Sequence, residues 1–348
     1  MIVRFGFVAM SMLLENASPS RTMTYKNFAK LADRGAAVRK LERIAEENLN
    51  HTLRVLRHAV AHDIRVYRFS SRLIPLSTHD ELHDWNPFEA LKDAFAEVGR
   101  YVREQRMRVS FHPDHFCVLN SPRPEVLAKS IADLENHVRM LDAMGQDERS
   151  KCNIHVGGAY GDKKSSGERF IRQFAELDDR YKRRITLEND DKTFTAEETL
   201  AIAEASNVPM VLDIHHHAVN GGGVPDSRLT GEIWPRIVRT WEGERKRRLG
   251  QAASVKPSGY SDELPPKLHA SSPRSERDPR SHADHVEPGP LLRYLYEIAD
   301  SVPRIDVMLE AKQKDAALLQ LMEQLRLLEK AGEPVTVIDG ASVEINSR

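Results

Sequence analysis

Cysteine is nearly absent from this chain: Cys117 and Cys152 are the only two among 348 residues. Two cannot build a disulfide framework or a cysteine-ligated zinc site, so the expected compartment is a reducing one, the cytoplasm. A basic excess is missing as well. Lys and Arg total 51 against 52 Asp and Glu, a formal charge of −1. Proteins that hold nucleic acid by bulk charge carry a positive balance. Any such role here must rest on local basic clusters, Glu244–Arg248 and Lys163–Lys164, or on bound cations that the formal count omits. No apolar run is long enough to span a bilayer, so no membrane partner is expected. The opening MIVRFGFVAMSMLL superficially resembles a secretory leader, but one Arg4 precedes its short apolar stretch and no small-residue cleavage site follows; it reads as a buried first strand. Internal repeats and low-complexity tracts are absent.

What is present is ordinary core material, 40% hydrophobic and 30% charged residues, enough for one large or two medium domains. Short apolar or β-branched runs recur: VRFGF (3–7), IRVYRF (64–69), RVSF (108–111), NIHV (153–156), ITLE (185–188), PMVLDI (209–214), KLHA (267–270) and IDVMLE (305–310). Segments of helical period separate them. Strand–helix alternation predicts a parallel sheet, and about eight units is the count of a TIM (β/α)8 barrel. Thr195 with Glu198 three residues on predicts a capping box, and Pro87, Pro124 and Pro290 fall near helix starts. The reading is a single α/β domain over 1–330, with a charged helical insertion at 18–48, a long Pro/Gly/Ser-containing loop at 249–266, and a C-terminal tail at 331–348.

On that register, six consecutive strands end in or carry metal-ligand residue types. They are His112, His155, Glu188, Asp213 followed by His215, His216 and His217, then Lys267 with His269, and Glu310. A lone strand-end histidine is more often structural. A whole set at the C-terminal face of a barrel, where active sites lie, points to a metal centre. Mixed histidine and carboxylate ligands suit Mn²⁺, Zn²⁺ or Fe and disfavour Ca²⁺. Lys267 and His269 share a strand face. An inward Lys267 would have to be deprotonated, paired or modified to a carbamate; equally, it could start the strand in solvent. Neighbouring strand residues face opposite ways, so 215–217 cannot all be ligands, and spacing does not choose among them. Gly157-Gly158 after His155 allows either close approach of a ligand or a tight turn.

Read together, RFGF (4–7), YRFSS (67–71), SFHP (110–113), IHVGGAYG (154–161), TLENDDKT (186–193), LDIHHH (212–217), KLHASSPRSE (267–276), RSHADHV (280–286) and MLEAKQKD (308–315) resemble the UV damage endonuclease family, in the family's order. The resemblance implies a TIM barrel and ATP-independent incision of damaged double-stranded DNA immediately 5′ of cyclobutane pyrimidine dimers and (6-4) photoproducts, with abasic sites also cut. It implies no nucleotide cofactor and a monomer. It further implies a divalent cluster, typically manganese and about three ions, on His112, His155, Glu188, Asp213, His216, His269, His282 and Glu310. Lys267 matches a lysine carboxylated beside the metals; Glu188 and Glu310, at opposite sides of the barrel sequence, are the candidates for metal-bridging carboxylates. His115 and Phe116 match the residues that probe the lesion, although the family commonly has Gln and then Tyr or Phe there. Phe7, on the first strand, is the third lesion-recognition residue by this resemblance and stands where some relatives have Tyr; His285 stands where an aromatic is common. Two other functions fit the ligand pattern alone: a metal-dependent sugar isomerase or epimerase on the same barrel, and a non-catalytic damage-binding protein.

Overall fold

All eight apolar runs form strands. In the structure, a computed structural model that describes residues 1–114, 117–251 and 264–347, the strands are β1 (Ile2–Val8), β2 (Val66–Arg68), β3 (Arg108–Phe111), β4 (Lys151–His155), β5 (Ile185–Glu188), β6 (Met210–Asp213), β7 (Lys267–Ala270), β8 (Pro273–Ser275), β9 (Asp278–His282), β10 (Arg304–Leu309), β11 (Val335–Val337) and β12 (Ser342–Ile345). The first seven and β10 pair in parallel, each with its neighbour, and β10 returns to β1 with Ile2 opposite Arg304 and Gly6 opposite Met308. That return closes an eight-stranded barrel inside a shell of helices. Both faces of such strands are covered, which is why the residues of β5, β6 and β7 are all buried and none shows hydrophobic–polar alternation.

The lower barrel is charged inside. Arg4 Nε on β1 lies 2.7 Å from Asp306 Oδ1 on β10, and Arg108 Nη1 on β3 lies 2.8 Å from Asp306 Oδ2. The Arg108 guanidinium also sits 5.1 Å from the centre of the Trp241 ring. Burial alone would raise the Asp306 carboxyl, but the two guanidiniums hold it down at about 2.

Local signals behave as their chemistry requires. Thr195 and Glu198 form both halves of the capping box, and Pro87 and Pro124 open their helices. Within 18–48 the structure has a short helix, Tyr25–Ala29, and the first half of the long helix Arg34–Ala61. Met23, Phe28, Ala37 and Leu41 there pack with Leu82 in a small separate cluster. Where a loop is expected at 249–266, residues 249–251 instead end the helix Trp234–Gln251, and residues 252–263 lie outside the described residues. Beyond residue 330, β11 and β12 form a hairpin, and β12 pairs antiparallel with the start of β1. The hairpin β8–β9 follows β7 directly and ends at His282.

Candidate metal centre

Inward positions alternate along parallel strands, so residues two apart stack into layers inside the barrel. The uppermost layer, at the C-terminal mouth, holds the ligand-type side chains. Glu188, fully buried at the end of β5, is its hub. His112 Nε2 lies 3.1 Å from Glu188 Oε2, and His269 Nδ1 lies 2.9 Å from Oε1. The same His269 nitrogen is 3.0 Å from Glu310 Oε1, so one imidazole joins two carboxylates that come from opposite parts of the sequence. His155 Nδ1 is 3.3 Å from the Glu188 carbonyl. His112, His155 and Glu188 form one set whose potential ligand atoms lie within 4.8 Å of one another; Glu188, Asp213, His269 and Glu310 form another.

The histidine run does not continue β6. The strand ends at Asp213, whose side chain accepts from His216 N at 2.8 Å and caps a helix, Ile214–Val219. The expected strand through Ile214 is therefore one residue too long, and the helix, not strand alternation, sorts the three histidines. His216 Nδ1 lies 3.6 Å from Glu188 Oε1 and 3.7 Å from Asp213 Oδ2, while His215 and His217 are buried beside it. His282 sits at the rim, with Nδ1 2.6 Å from the Glu310 carbonyl and 3.9 Å from its Oε2.

The electrostatics are those of crowded acids. Burial would raise the Glu188 carboxyl, but His269 and His112 hold it well below the usual carboxylate range. Burial lifts Asp213 to about 6, with His216 opposing and Glu188 and Glu310 adding to the rise. Burial pulls His216 down, but Asp213, Glu188 and Glu310 outweigh it and set it at about 9. Asp213 Oδ2 is buried and has no hydrogen-bond partner. An orphaned carboxylate oxygen on a buried acid, beside buried Glu188 and half-buried Glu310, is costly unless a cation takes it. The donor set therefore fits divalent ions, and its nitrogen ligands favour transition metals over Ca²⁺.

Lys267 is not in solvent. It is buried below His269, with Nζ donating to Ser110 Oγ across the barrel at 3.1 Å. Burial and the nearby Arg108 hold its amine well below the usual lysine value. Gly157, at φ +117°, answers the other open question: a Cβ there would collide with the Asn120 side chain, so the turn is glycine for packing. Phe7 is not brought to the cluster. Its ring is fully buried, 5.4 Å edge-on from Tyr67, on the β1 face of Val3 and Phe5 rather than that of Gly6 and Val8. His115 and Phe116 lie outside the described residues.

Three contributors escaped the search for ligand types. Asn153 Nδ2 donates to Glu188 Oε2, Arg68 Nη1 donates to Glu310 Oε1, and Asn189 ties down Asp213 N at 2.9 Å and the His216 ring at 2.9 Å. Asn153 was findable, standing two residues before His155 and so facing inward with it.

Comparison with known proteins agrees with this geometry. The family model described as UV-endonuclease UvdE matches residues 3–339. A UV DNA damage endonuclease of Bacillus velezensis is 43% identical over 325 residues, 93% of this chain and 94% of the relative. One of Halalkalibacterium halodurans is 40% identical over 347 residues, 99% of this chain and 100% of the relative. The crystal structure of SacUVDE superposes with a TM-score of 0.75 at 26% identity, covering 95% of this chain and 99% of that one. Endonuclease IV from Thermus thermophilus shares the fold, with a TM-score of 0.51, 14% identity and coverage of 94% and 99%. The chain belongs to the UV-endonuclease UvdE family.

Proposed function

We propose that this protein is a metal-dependent DNA repair endonuclease that nicks the phosphodiester immediately 5′ of cyclobutane pyrimidine dimers and (6-4) photoproducts, and at abasic sites, without ATP, leaving a 3′-hydroxyl and a 5′-phosphate. The observation that carries the reading is the pair Glu188 and Glu310, joined through His269 beneath the barrel mouth, within a chain that the family model matches almost end to end. His112, His155, Asp213, His216, His269 and His282 complete the set that would hold a manganese cluster of about three ions, with the two glutamates as bridging ligands. When bound, such ions supply the Lewis acidity that phosphodiester hydrolysis needs at neutral pH.

The remaining work falls to the chain. Asn153 fixes the Glu188 carboxylate from the side, so that its two oxygens face different histidines. Asn189 locks the turn that presents Asp213 and His216. Lys267, whose amine burial holds well below the usual lysine value, is the residue poised to carry a carbamate beneath the cluster. His115 and Phe116, which we assign to lesion probing, follow His112 by only three and four residues in the sequence. An aromatic wedge suits a lesion found in every sequence context, because a ring stacks on any base. We assign the protein to the cytoplasm as a monomer; no helix among the described residues is long and apolar enough to cross a membrane.

UV-irradiated plasmid incubated with the protein, Mn²⁺ and no ATP should convert to nicked circles. Chelation should abolish the conversion, and Mn²⁺ should restore it better than Ca²⁺. Intact circles under all conditions would leave the barrel to a sugar isomerase or to a damage-binding protein without catalysis.

A further inference from the structure

Four residues beyond Glu310 stands a lysine in an unfavourable place. Lys314 adopts a left-handed backbone conformation, φ +50°, which costs any residue with a long side chain. It is also the first residue of the helix Lys314–Lys330, where the positive end of the helix dipole repels a cation. Its side chain is half-buried. Its amine makes no hydrogen bond or ion pair among the described residues, and burial, with Arg68 nearby, holds it below the usual lysine value. The turn that places it there is firmly held. Lys312 N donates to Ala283 O at 3.0 Å and Gln313 N to Asp284 O at 3.0 Å, which stitches the segment to the residues just after His282. Beside it, Arg68 already serves Glu310. A cation held in a costly conformation, near an acid, Glu310, that Arg68 and His269 already pair, at the edge of a phosphodiester-cleaving cluster, is placed for an anion that arrives with the substrate.

We propose that Lys314, with Arg68 beside it, binds a non-bridging oxygen of the scissile phosphate and retains the 5′-phosphate of the nicked product. This rests on the endonuclease reading above, and it adds a protein cation that is not a metal ligand. Arg68 is committed to a carboxylate in the structure, so Lys314 carries the contact and Arg68 is its positioning neighbour.

The test compares binding of the Mn²⁺-loaded protein to two nicked duplexes that contain a pyrimidine dimer. One bears a 5′-phosphate at the nick and the other a 5′-hydroxyl. Neither can be cut again, so affinity is read directly. Lys314→Asn removes the charge while keeping a residue that tolerates the left-handed backbone, and Lys314→Arg keeps the charge. The wild type should prefer the phosphorylated duplex. Lys314→Asn should lose about tenfold of that preference, the worth of one charge-assisted hydrogen bond, and the slope of log affinity against log salt should shrink by about one. Metal content should stay unchanged and the melting temperature should not fall, since Asn suits the left-handed backbone, and Lys314→Arg should keep most of the preference. A Lys314→Asn protein that folds, holds its metal and keeps the full preference for the 5′-phosphate overturns the proposal, as does a wild type with no preference. Plasmid nicking by the wild type is scored separately, so loss of the Lys314 assignment would leave the endonuclease reading standing.

Discussion

Glu188→Gln isolates charge from shape at the hub of the cluster. The amide has nearly the carboxylate's volume, so the barrel should close as before, but a formal charge is removed from a site with three acids, Glu188, Asp213 and Glu310, whose ligand atoms lie within 4.8 Å of one another. One unit of charge about 4 Å from another is worth about 4 kcal/mol at the effective dielectric of partly buried sites. A divalent ion would feel at least that much, so metal affinity should fall by about three orders of magnitude. There is a geometric penalty as well. Glu188 accepts from Asn153 and faces His112 and His269. An amide cannot accept through both ends, and a donor turned toward Asn153 leaves a buried clash worth about 1–3 kcal/mol. The assay is metal content after dialysis, circular dichroism, and nicking of irradiated plasmid, measured on one preparation. The expected result is native dichroism, depleted metal and nicking lowered by at least about three orders of magnitude. Full metal content with nicking within tenfold of wild type would refute the reasoning and leave Glu188 a structural acid.

How much of this was legible in the sequence differs by level. The barrel was, because each strand is buried on both faces and so leaves a compact apolar run between helical segments. The short hairpin β8–β9 was not, since PRS and DPRSH carry exposed residues with neither alternation nor apolarity. The pairing of β12 with β1 is a contact between the two ends of the chain, which local pattern cannot reveal. At the site, ligand-type residues on strand ends were visible by register, because alternation fixes their direction. His216 and His282 were not chosen by spacing: the first sits on a helix that begins at Asp213, the second on that unforeseen hairpin. Only resemblance singled them out. The placement of Lys267 turned on depth within the barrel, a tertiary quantity, and of Phe7 on which face of β1 looks inward. Asn153 could be placed inward from its spacing to His155, but polar supports such as Asn189 and Arg68 left no signal; their roles exist only once Asp213 and Glu310 are in place.

Lys267→Ala should impair nicking more than binding to irradiated duplex; equal losses of both would argue against a carbamate that tunes the cluster. Asp306→Asn should cost about 3–5 kcal/mol near neutral pH, because Arg4 and Arg108 lose their buried partner; chemical denaturation reads it. In the wild type the folded Asp306 carboxyl is depressed, so its contribution is full above its unfolded value of about 4 and drains away as pH falls towards about 2, an amount of about 2 kcal/mol. An acid limb of the same height in Asp306→Asn would contradict that assignment. The last prediction concerns Phe116, which follows His112 of the candidate metal centre by four residues. If its ring replaces extruded bases in the stack, Phe116→Ala should lose about 1–3 kcal/mol of discrimination between irradiated and intact duplex, with metal content unchanged. His115→Gln should be tolerated, because a side-chain amide can donate and accept as an imidazole does, and it should shift preference among lesions. If instead Phe116 packs in the core, its truncation should lower stability by about 3–5 kcal/mol and leave the damaged-to-intact ratio alone. The two outcomes move different instruments: a lowered melting temperature with an unchanged binding ratio removes the wedge, whereas an unchanged melting temperature with a collapsed ratio leaves stacking on exposed bases as the only role for that ring.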